Sequence, residues 1–298
     1  MSDTSFIYSG LETTAESAAV AQLAQATGGT GPELARGRRW PLRLAGLILP
    51  VAALVFFELA VRAGWIPARL LPPPSQVFET MREMLGGPLW LHIGFSAGRV
   101  ALGFLLGTTF GIAVASFTGL SRWAEALIEP TLQALRGIPP LAWAPLLLIW
   151  LGIDESPKIA LIAIGAFFPV YLNLQSGIRN VDRKLIEVGE IHGLGRGQLI
   201  RRIFLPAALP SLFTGLRQGL SLSWMFVVAA ELIAATKGLG FLLSDGRETS
   251  RMDIMLVAIF LLGIFGKLSD TGLRALERRL LAWRDVYESR ESPAGGAL

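Results

Sequence analysis

The sequence predicts an all-α, polytopic membrane protein with about six transmembrane helices. Of its 298 residues, 52% are hydrophobic and only 17% are charged, whereas soluble globular domains carry about 25% charged residues. Several apolar runs approach the ~20 residues that a helix needs to cross the hydrocarbon core of a bilayer. Composition and run length together argue against a soluble enzyme.

The rarest residue types exclude several kinds of chemistry. The chain has no cysteine, which excludes disulfides, thiolate metal sites and a cysteine nucleophile. The two histidines, His92 and His192, have no second ligand nearby in the sequence, so we expect no metal site. No nucleophile motif is found, and we predict no catalytic residues.

The predicted domain organisation is a transmembrane domain between two tails. Residues 1–40 are rich in Ser, Thr, Ala and Gly and contain no Lys or Arg before Arg36, a composition typical of a disordered cytoplasmic extension. We expect the transmembrane domain to cover 41–285, with a first span over 42–61. Residues 286–298 are expected to form a cytoplasmic C-terminal tail.

Proline and glycine divide the remaining apolar runs. Ser75 follows a proline triplet and is a natural helix cap for an amphipathic stretch over 76–85. Four prolines interrupt the third apolar region, which predicts a bent span beside a pore or inside protein. A glycine-rich segment, 237–240, predicts a loop that leads into a short helix. The five further spans are predicted over 93–120, 123–152, 158–178, 209–233 and 255–267.

Glycines recur every four residues along the second span, in two sets. These are Gly94 with Gly98, and Gly103 with Gly107 and Gly111. Small residues at this spacing share one helix face and let a neighbouring backbone approach closely in lipid. We predict such a contact, with ordinary membrane-helix glycines as an equal alternative.

The distribution of Lys and Arg predicts the orientation in the membrane. Six spans place both termini on one side. With the termini inside, sixteen of the 27 Lys and Arg lie in inner segments, seven in outer segments and four within or at the ends of spans. Because inner loops are enriched in positive charge, we expect a cytoplasmic N-terminus and a cytoplasmic segment over 179–207.

Segment 179–207 is polar and basic, but it is not patterned like a flexible linker. Its apolar residues recur at roughly helical spacing with Arg and Lys between them. Three glycines, Gly193, Gly195 and Gly197, divide it, and glycine allows the positive φ that a tight turn needs. We predict two short amphipathic helices joined by a glycine turn, with the next helix beginning near Pro206 and Pro210.

This segment resembles the EAA loop of the transmembrane subunits of binding-protein-dependent ABC importers. The family pattern is Glu-Ala-Ala, three residues, Gly, nine residues, Ile, one residue, Leu-Pro. Here Glu187 begins the motif, Gly193 and Ile203 follow at the same intervals, and Leu205-Pro206 ends it. The departures are Val188 and Gly189, where the family prefers two alanines.

The resemblance extends over roughly 40–285 and is strongest to the nitrate, sulfonate, taurine and bicarbonate branch of these permeases. Its signatures are 70–74, 165–173 and 205–210, while 177–182 and 238–243 look most like aliphatic-sulfonate permeases. The resemblance implies the type I ABC importer transmembrane-domain fold. It also implies a multi-pass protein of the bacterial inner membrane.

The family's EAA loop forms a coupling helix that docks on an ATPase subunit. Carried over to this chain, the resemblance places that coupling contact at about 183–206. It also implies two ATPase copies, a periplasmic solute-binding protein and a second permease copy that forms a homodimer. The expected surroundings are membrane lipid and not nucleic acid. The residues assigned to coupling are Glu187, Val188, Gly189, Gly193, Leu194, Arg196, Arg201, Ile203 and Pro206.

The chain itself lacks a phosphate-binding loop of the Gly-x-x-x-x-Gly-Lys-Ser/Thr type. We expect ATP and Mg²⁺ on the separate ATPase and no cofactor on this chain. Charged residues inside spans are costly in lipid, and Arg217, Glu231 and Arg136 are candidates for the translocation path. For Arg217 a structural pairing, with an acid such as Glu231, is an equal alternative to lining an anion route.

Three classes of function stay open from the sequence: an ABC importer permease, which we favour, a secondary transporter and a membrane-embedded enzyme. A secondary transporter is expected to show paired broken helices, and only one proline-interrupted region, 130–145, is found. The expected substrate is a small anion, an alkanesulfonate such as taurine. Nitrate, bicarbonate or another small solute is the alternative.

Overall fold

The computed structural model describes residues 42–283, and every regular element within them is helical. The predicted tails, 1–40 and 286–298, lie outside the described residues. The helices are α1 (Leu42–Arg62), α2 (Pro74–Leu85), α3 (Leu89–Leu120), α4 (Arg122–Arg136), α5 (Ala144–Leu151, preceded by a 3-10 turn at Pro140–Trp143), α6 (Glu155–Arg179), α7 (Arg183–Ile191), α8 (Arg196–Leu199), α9 (Leu205–Ala234, joined to α8 by a π turn at Ile200–Phe204), α10 (Leu239–Glu248) and α11 (Met252–Leu280).

The chain divides into two compact units at Phe56, within α1. In the first unit, the described part of α1 carries exposed apolar side chains such as Ile48, Leu49 and Leu54. The 21 residues of α1 coincide with the first predicted span. The other described helices all belong to the second unit, which begins at Phe57.

Among the described helices, four are long and apolar enough to cross a membrane: α3, α6, Arg196–Ile233 and α11. The pair α4 and α5 makes a fifth if it is counted as one span bent by 90°. The bend lies between Arg136 and Pro140, within the region where four prolines predicted an interruption. The predicted bend is confirmed.

Helix α6 lies between α3 and α9, with which it makes its most extensive contacts. The set Gly103, Gly107 and Gly111 faces α6 so closely that a Cβ atom at Gly103 would lie 2.6 Å from Ile162. A Cβ atom at Gly107 would collide with the carbonyl oxygen of Ala163. The predicted close contact is therefore confirmed for this set.

The other glycine set does not make such a contact. A Cβ atom at Gly94 or Gly98 would meet nothing within 4 Å. The sequence spacing is the same in both sets, so spacing alone does not reveal which face meets a neighbour. For Gly94 and Gly98 the close-contact prediction was wrong.

The proline triplet starts α2, but Ser75 does not cap it. Pro73 is the N-cap residue and Pro74 the first helical residue, which suits proline because the first helical N–H has no intrahelical partner. Ser75 instead lies in the first turn, where its hydroxyl and its backbone N–H donate to Glu58 at 2.8 and 3.0 Å. The prediction of a serine cap was wrong because the prolines already fix the start of the helix.

Helix α2 packs with α10 and α11 in an apolar cluster that includes Met81, Leu239 and Val257. A buried hydrogen bond of 2.8 Å from Thr80 to Asp253 fixes α2 to the start of α11. Asp253 also accepts from Arg251 at 2.7 Å, and this bond raises the pKa of the Arg251 guanidinium.

Helix α11 is longer than the predicted sixth span. Apolar composition ends near Lys267, but the helix continues to Leu280. An ion pair of 3.0 Å between Arg274 and Asp270, four residues apart, supports the polar continuation. Because hydropathy measures apolar content and not helicity, it missed the last three turns.

Candidate functional site

Segment 179–207 folds into a helical hairpin. Its first arm, α7, is capped by Asp182, whose side chain accepts from the N–H of Lys184 at 2.9 Å. Beyond α7 the chain turns at Gly193, where φ is +72°, and the Gly193 N–H donates to the Glu190 carbonyl at 2.9 Å. Gly195 takes an ordinary φ of −69°. The glycine turn is confirmed, and of the three glycines Gly193 is the one whose conformation disfavours other residues.

The inner side of the hairpin is closed by motif positions that touch one another. Gly189 is buried, and a Cβ atom there would lie 2.6 Å from both Ile203 and Leu199 and 3.4 Å from Leu194. The departure from the family's alanine therefore has a local cause: at this position the second arm packs directly on the α7 backbone. Ile203 fills the space that a methyl group would occupy.

The outer side of α7 is apolar and exposed. Leu185, Val188 and Ile191 are 50%, 52% and 82% exposed, and they follow one another at intervals of three residues along the helix. Glu187 is also exposed and pairs with Arg183 at 3.0 Å. An apolar strip with charged neighbours at the tip of a hairpin is typical of a protein-docking surface.

The second arm differs from the prediction of a separate short helix. Arg196, Arg201 and Pro206 lie in one continuous helical run over Arg196–Ile233, so the helix begins ten residues before Pro206. Proline has no N–H to bond the carbonyl four residues back. The π turn at Ile200–Phe204, where the Leu205 N–H donates to the Ile200 carbonyl, accommodates this loss without ending the helix.

Arg217 lies beside a cavity of about 840 Å³ between α9 and α11. It donates to Asp270 at 3.2 Å, and its second contact is Glu277 at 3.7 Å. The structural alternative, in which Arg217 pairs with an acid, agrees with these contacts, but Glu231 is not the partner, since the acids that hold Arg217 come from the polar end of α11. That end lay outside the predicted span, so the hydropathy pattern did not point to these acids.

The same cavity is lined by polar residues that the sequence analysis did not identify. Thr214, Gln218 and Ser221 lie on α9 at intervals of four and three residues, and all three are exposed. The Gln218 side chain accepts from Asn173 of α6 at 3.0 Å. Their spacing places them on one helix face, and this polar stripe in an apolar helix is a signal that the sequence analysis could have used.

Glu231 lies in a different place, in a buried polar cluster. Its carboxylate accepts from Ser96 at 2.7 Å, from Arg99 at 2.7 Å and from the Gly240 N–H at 2.7 Å. Arg99 also donates to Glu155 and to the Lys237 carbonyl. The cluster ties α3, α6, α9 and the start of α10 together, and no residue of it lines the cavity beside Arg217.

The segment before α10 fits tightly over this cluster. Gly238 has φ +133°, and a Cβ atom there would collide with the Glu231 carboxylate. The Gly238 N–H donates to His92 at 3.0 Å. The predicted glycine-rich loop leading into a short helix is confirmed. Gly238 is required there because any side chain would collide with the buried Glu231 carboxylate.

Arg136, the third candidate for the translocation path, ends α4. It is exposed and is not among the residues that line the Arg217 cavity. The structure therefore separates the three candidates into three places: the cavity, the buried cluster and the bend between α4 and α5.

The sequence matches a known family over most of the membrane helices. Residues 107–282 match the family described as binding-protein-dependent transport system inner membrane component. This chain belongs to that family. Membership confirms the resemblance stated from the EAA pattern and contradicts the secondary-transporter and membrane-enzyme alternatives.

Relatives within this transport family cover nearly the whole transmembrane domain. A protein of Escherichia coli named "Putative aliphatic sulfonates transport permease protein SsuC" is 40% identical over 86% of this chain and 97% of its own length. The E. coli taurine transport system permease protein TauC is 38% identical over 82% and 92%. The bicarbonate transport system permease protein CmpB of Synechococcus elongatus is 31% identical over 82% and 93%.

A solved structure shows the same fold. A chain of the inward-facing MetNI methionine ABC transporter superposes with a TM-score of 0.55 and 19% identity, covering 64% of this chain and 96% of that one. This likeness confirms the predicted fold class, that of a type I ABC importer transmembrane domain. The chain is thus a multi-pass inner-membrane permease of a binding-protein-dependent importer.

Proposed function

We propose that this chain is the permease subunit of an ATP-driven importer that moves an aliphatic sulfonate, such as taurine, across the inner membrane. The proposed coupling to an ATPase rests on the hairpin with its exposed Leu185, Val188 and Ile191. The names of the sulfonate and taurine relatives support the substrate class. Bicarbonate is the second candidate because of its relative at 31% identity.

In this proposal a separate ATPase supplies the energy and holds ATP and Mg²⁺. The exposed strip of α7 lies in a groove of the ATPase, with Glu187, Arg196 and Arg201 at its edge. Because α8 runs without a break into α9, a displacement of the hairpin moves α9 as a lever. Two ATPases, two copies of this permease and a periplasmic binding protein complete the transporter.

The proposed orientation places the hairpin and both termini in the cytoplasm. The excess of Lys and Arg in the segments on the hairpin side supports it. At the opposite ends of α6 and α9, the cluster of Arg99, Glu155 and Glu231 then faces the periplasm, where the binding protein delivers its solute.

Reconstitution tests the proposal. The permease is placed in proteoliposomes with its cognate ATPase and binding protein, and ATP hydrolysis and uptake are measured with taurine, longer alkanesulfonates, nitrate and bicarbonate. We expect stimulation by sulfonates. Stimulation by nitrate or bicarbonate alone would overturn the substrate and leave the transporter class standing, whereas no ATP-dependent uptake of any solute would overturn the proposed function.

Two hairpin variants test the coupling residues in the same assay. Glu187→Lys reverses a charge at the docking edge, and Gly193→Asp adds a negative charge at the turn, at a residue with positive φ. Both are expected to abolish uptake while the protein still inserts into the membrane. The matched control is Glu79→Lys, a charge reversal at an exposed residue of α2, which should leave uptake unchanged.

A further inference from the structure

The cavity between α9 and α11 carries an excess of positive charge. Arg217, Lys267 and Arg274 line it, together with one carboxylate, Asp270. Asp270 holds two of the three cations, Arg217 at 3.2 Å and Arg274 at 3.0 Å. Among residues 42–283, Lys267 is in no ion pair. The lining therefore presents the Lys267 ammonium group without a bound acid, together with Arg217, whose orientation is fixed by Asp270.

The remaining lining residues supply hydrogen bonds and open space. Thr214, Gln218 and Ser221 present hydroxyl and amide groups along α9. On α11, a Cβ atom at Gly263 would meet nothing within 4 Å, and one at Gly266 would be 3.9 Å from Trp224. The two glycines leave room in the cavity that larger residues would fill.

One part of the lining is apolar. Leu222, Trp224 and Leu262 border the cavity, and the Trp224 indole is fixed by its N–H, which donates to Ser269 at 2.9 Å. A volume of about 840 Å³ is within the range typical of small-molecule sites. Cations, polar groups and an aromatic wall in one cavity suit a solute with an anionic head and a short aliphatic chain.

We propose that this cavity is an intramembrane binding site for the transported organic anion. Lys267, Gln218 and Ser221 bind the oxyanion head, and Trp224 contacts the aliphatic part. Arg217 is restrained by Asp270 and Glu277. Because Asp270 is engaged by Arg217 and Arg274, Lys267 stays unpaired, and Arg217 adds positive potential. The inference rests on the proposed function and assigns to the membrane subunit a share of the solute selectivity.

The absence of cysteine from the chain allows a direct test by thiol labelling. In the complete transporter, Ser221→Cys places a single permease thiol in the cavity, and an ATPase free of reactive thiols keeps the signal specific. The probes are two methanethiosulfonates of similar size, sulfonatoethyl and trimethylammonioethyl. The first is itself an alkanesulfonate with a reactive end. Gln76→Cys, at an exposed residue of α2, is the control site.

We expect the anionic reagent to react faster relative to the cationic one at Ser221→Cys than at Gln76→Cys. Butanesulfonate should slow the reaction at Ser221→Cys and leave Gln76→Cys unchanged. Adding Lys267→Ala should weaken that protection about tenfold, which corresponds to the loss of one charged hydrogen bond. Arg278→Ala, a cation removed elsewhere on α11, should leave the protection unchanged.

The same assay separates the solute from an anionic lipid headgroup, which offers similar chemistry. Vesicles of phosphatidylcholine alone are compared with vesicles that contain phosphatidylglycerol. Slower labelling with phosphatidylglycerol and no protection by butanesulfonate would overturn the proposal in favour of a lipid. Equal reagent preference at both positions would overturn it as well. In either case ATP-driven uptake by the unsubstituted transporter shows that the proposed function still stands.

Discussion

Arg99 and Glu231 form an ion pair whose side chains are 4% and 0% exposed. Taking two charges out of water is costly, and such a pair is retained only where further hydrogen bonds satisfy both groups. Here Ser96, the Gly240 N–H and the Lys237 carbonyl supply them. The pair therefore fixes the position of the segment before α10 more than it adds to overall stability.

Removing one member of this pair tests that interpretation. Glu231→Leu leaves Arg99 charged and buried with Glu155 alone, and the free energy of unfolding should fall by about 3–5 kcal/mol. Glu155→Gln, at a side chain that is 48% exposed, should cost much less. Denaturant unfolding of the purified protein measures both, and equal losses would contradict the assigned role.

The turn of the hairpin depends on a single glycine. Gly193 has φ +72°, a conformation that costs other residues roughly 1–2 kcal/mol, whereas Gly195 has φ −69°. Gly193→Ala should lower ATP-dependent uptake several-fold, and Gly195→Ala should leave it nearly unchanged. If uptake responds equally to both substitutions, backbone conformation at Gly193 is not the reason for glycine there.

At the scale of elements, α3 and α6 are held together by backbone contact. In lipid no hydrophobic force drives helices together, so close packing of small residues carries the association. Gly107→Val places two methyl groups against the Ala163 carbonyl and should lower the unfolding temperature sharply. Gly98→Val, where a Cβ atom meets nothing within 4 Å, is the matched control and should have little effect.

The sequence was informative where one physical property dominates an element. Apolar runs predicted α3, α6 and α9, prolines predicted the bend after α4, and the glycine pattern predicted the hairpin turn at Gly193. These signals are local, because each depends on the chemistry of a few neighbouring residues.

The elements that could not be predicted depend on contacts distant in sequence. Ser75 bonds Glu58 and does not cap its helix, Arg217 pairs with Asp270 and not with Glu231, and only one of two glycine sets meets a neighbour. In each case the sequence identified a polar group, a charge or a face of small residues, but not the distant residue that contacts it. The polar end of α11 was missed for a related reason, since ion pairs and not hydropathy extend the helix.

At the scale of the whole molecule, the hairpin proposed to couple to the ATPase is joined to the membrane helices at both of its ends. Its second arm continues into α9 without a break. Before its first arm, Arg179 at the end of α6 pairs with Glu125 at 2.5 Å and Glu129 at 3.3 Å. Both acids lie on α4, the first half of the bent span. A force on the hairpin therefore reaches α9 directly and α4 through Arg179.

These connections predict a role for the Arg179 ion pairs in transport. Arg179→Gln should leave ATP hydrolysis by the assembled transporter largely intact but reduce the solute moved per ATP. The exchange of charges in Arg179→Glu with Glu125→Arg should restore part of the coupling. Parallel measurement of hydrolysis and uptake separates this result from a general loss of folding, in which both would fall together.

Cross-linking identifies directly which protein contacts the tip of the hairpin. Because the chain has no cysteine, Ile191→Cys, at the 82% exposed residue, provides one thiol for cross-linking in membranes that contain the cognate ATPase. We predict a cross-link to the ATPase from position 191 and none from Phe95→Cys on α3. A cross-link to the periplasmic binding protein at 191, or labelling of 191 only from outside the cell, would contradict it.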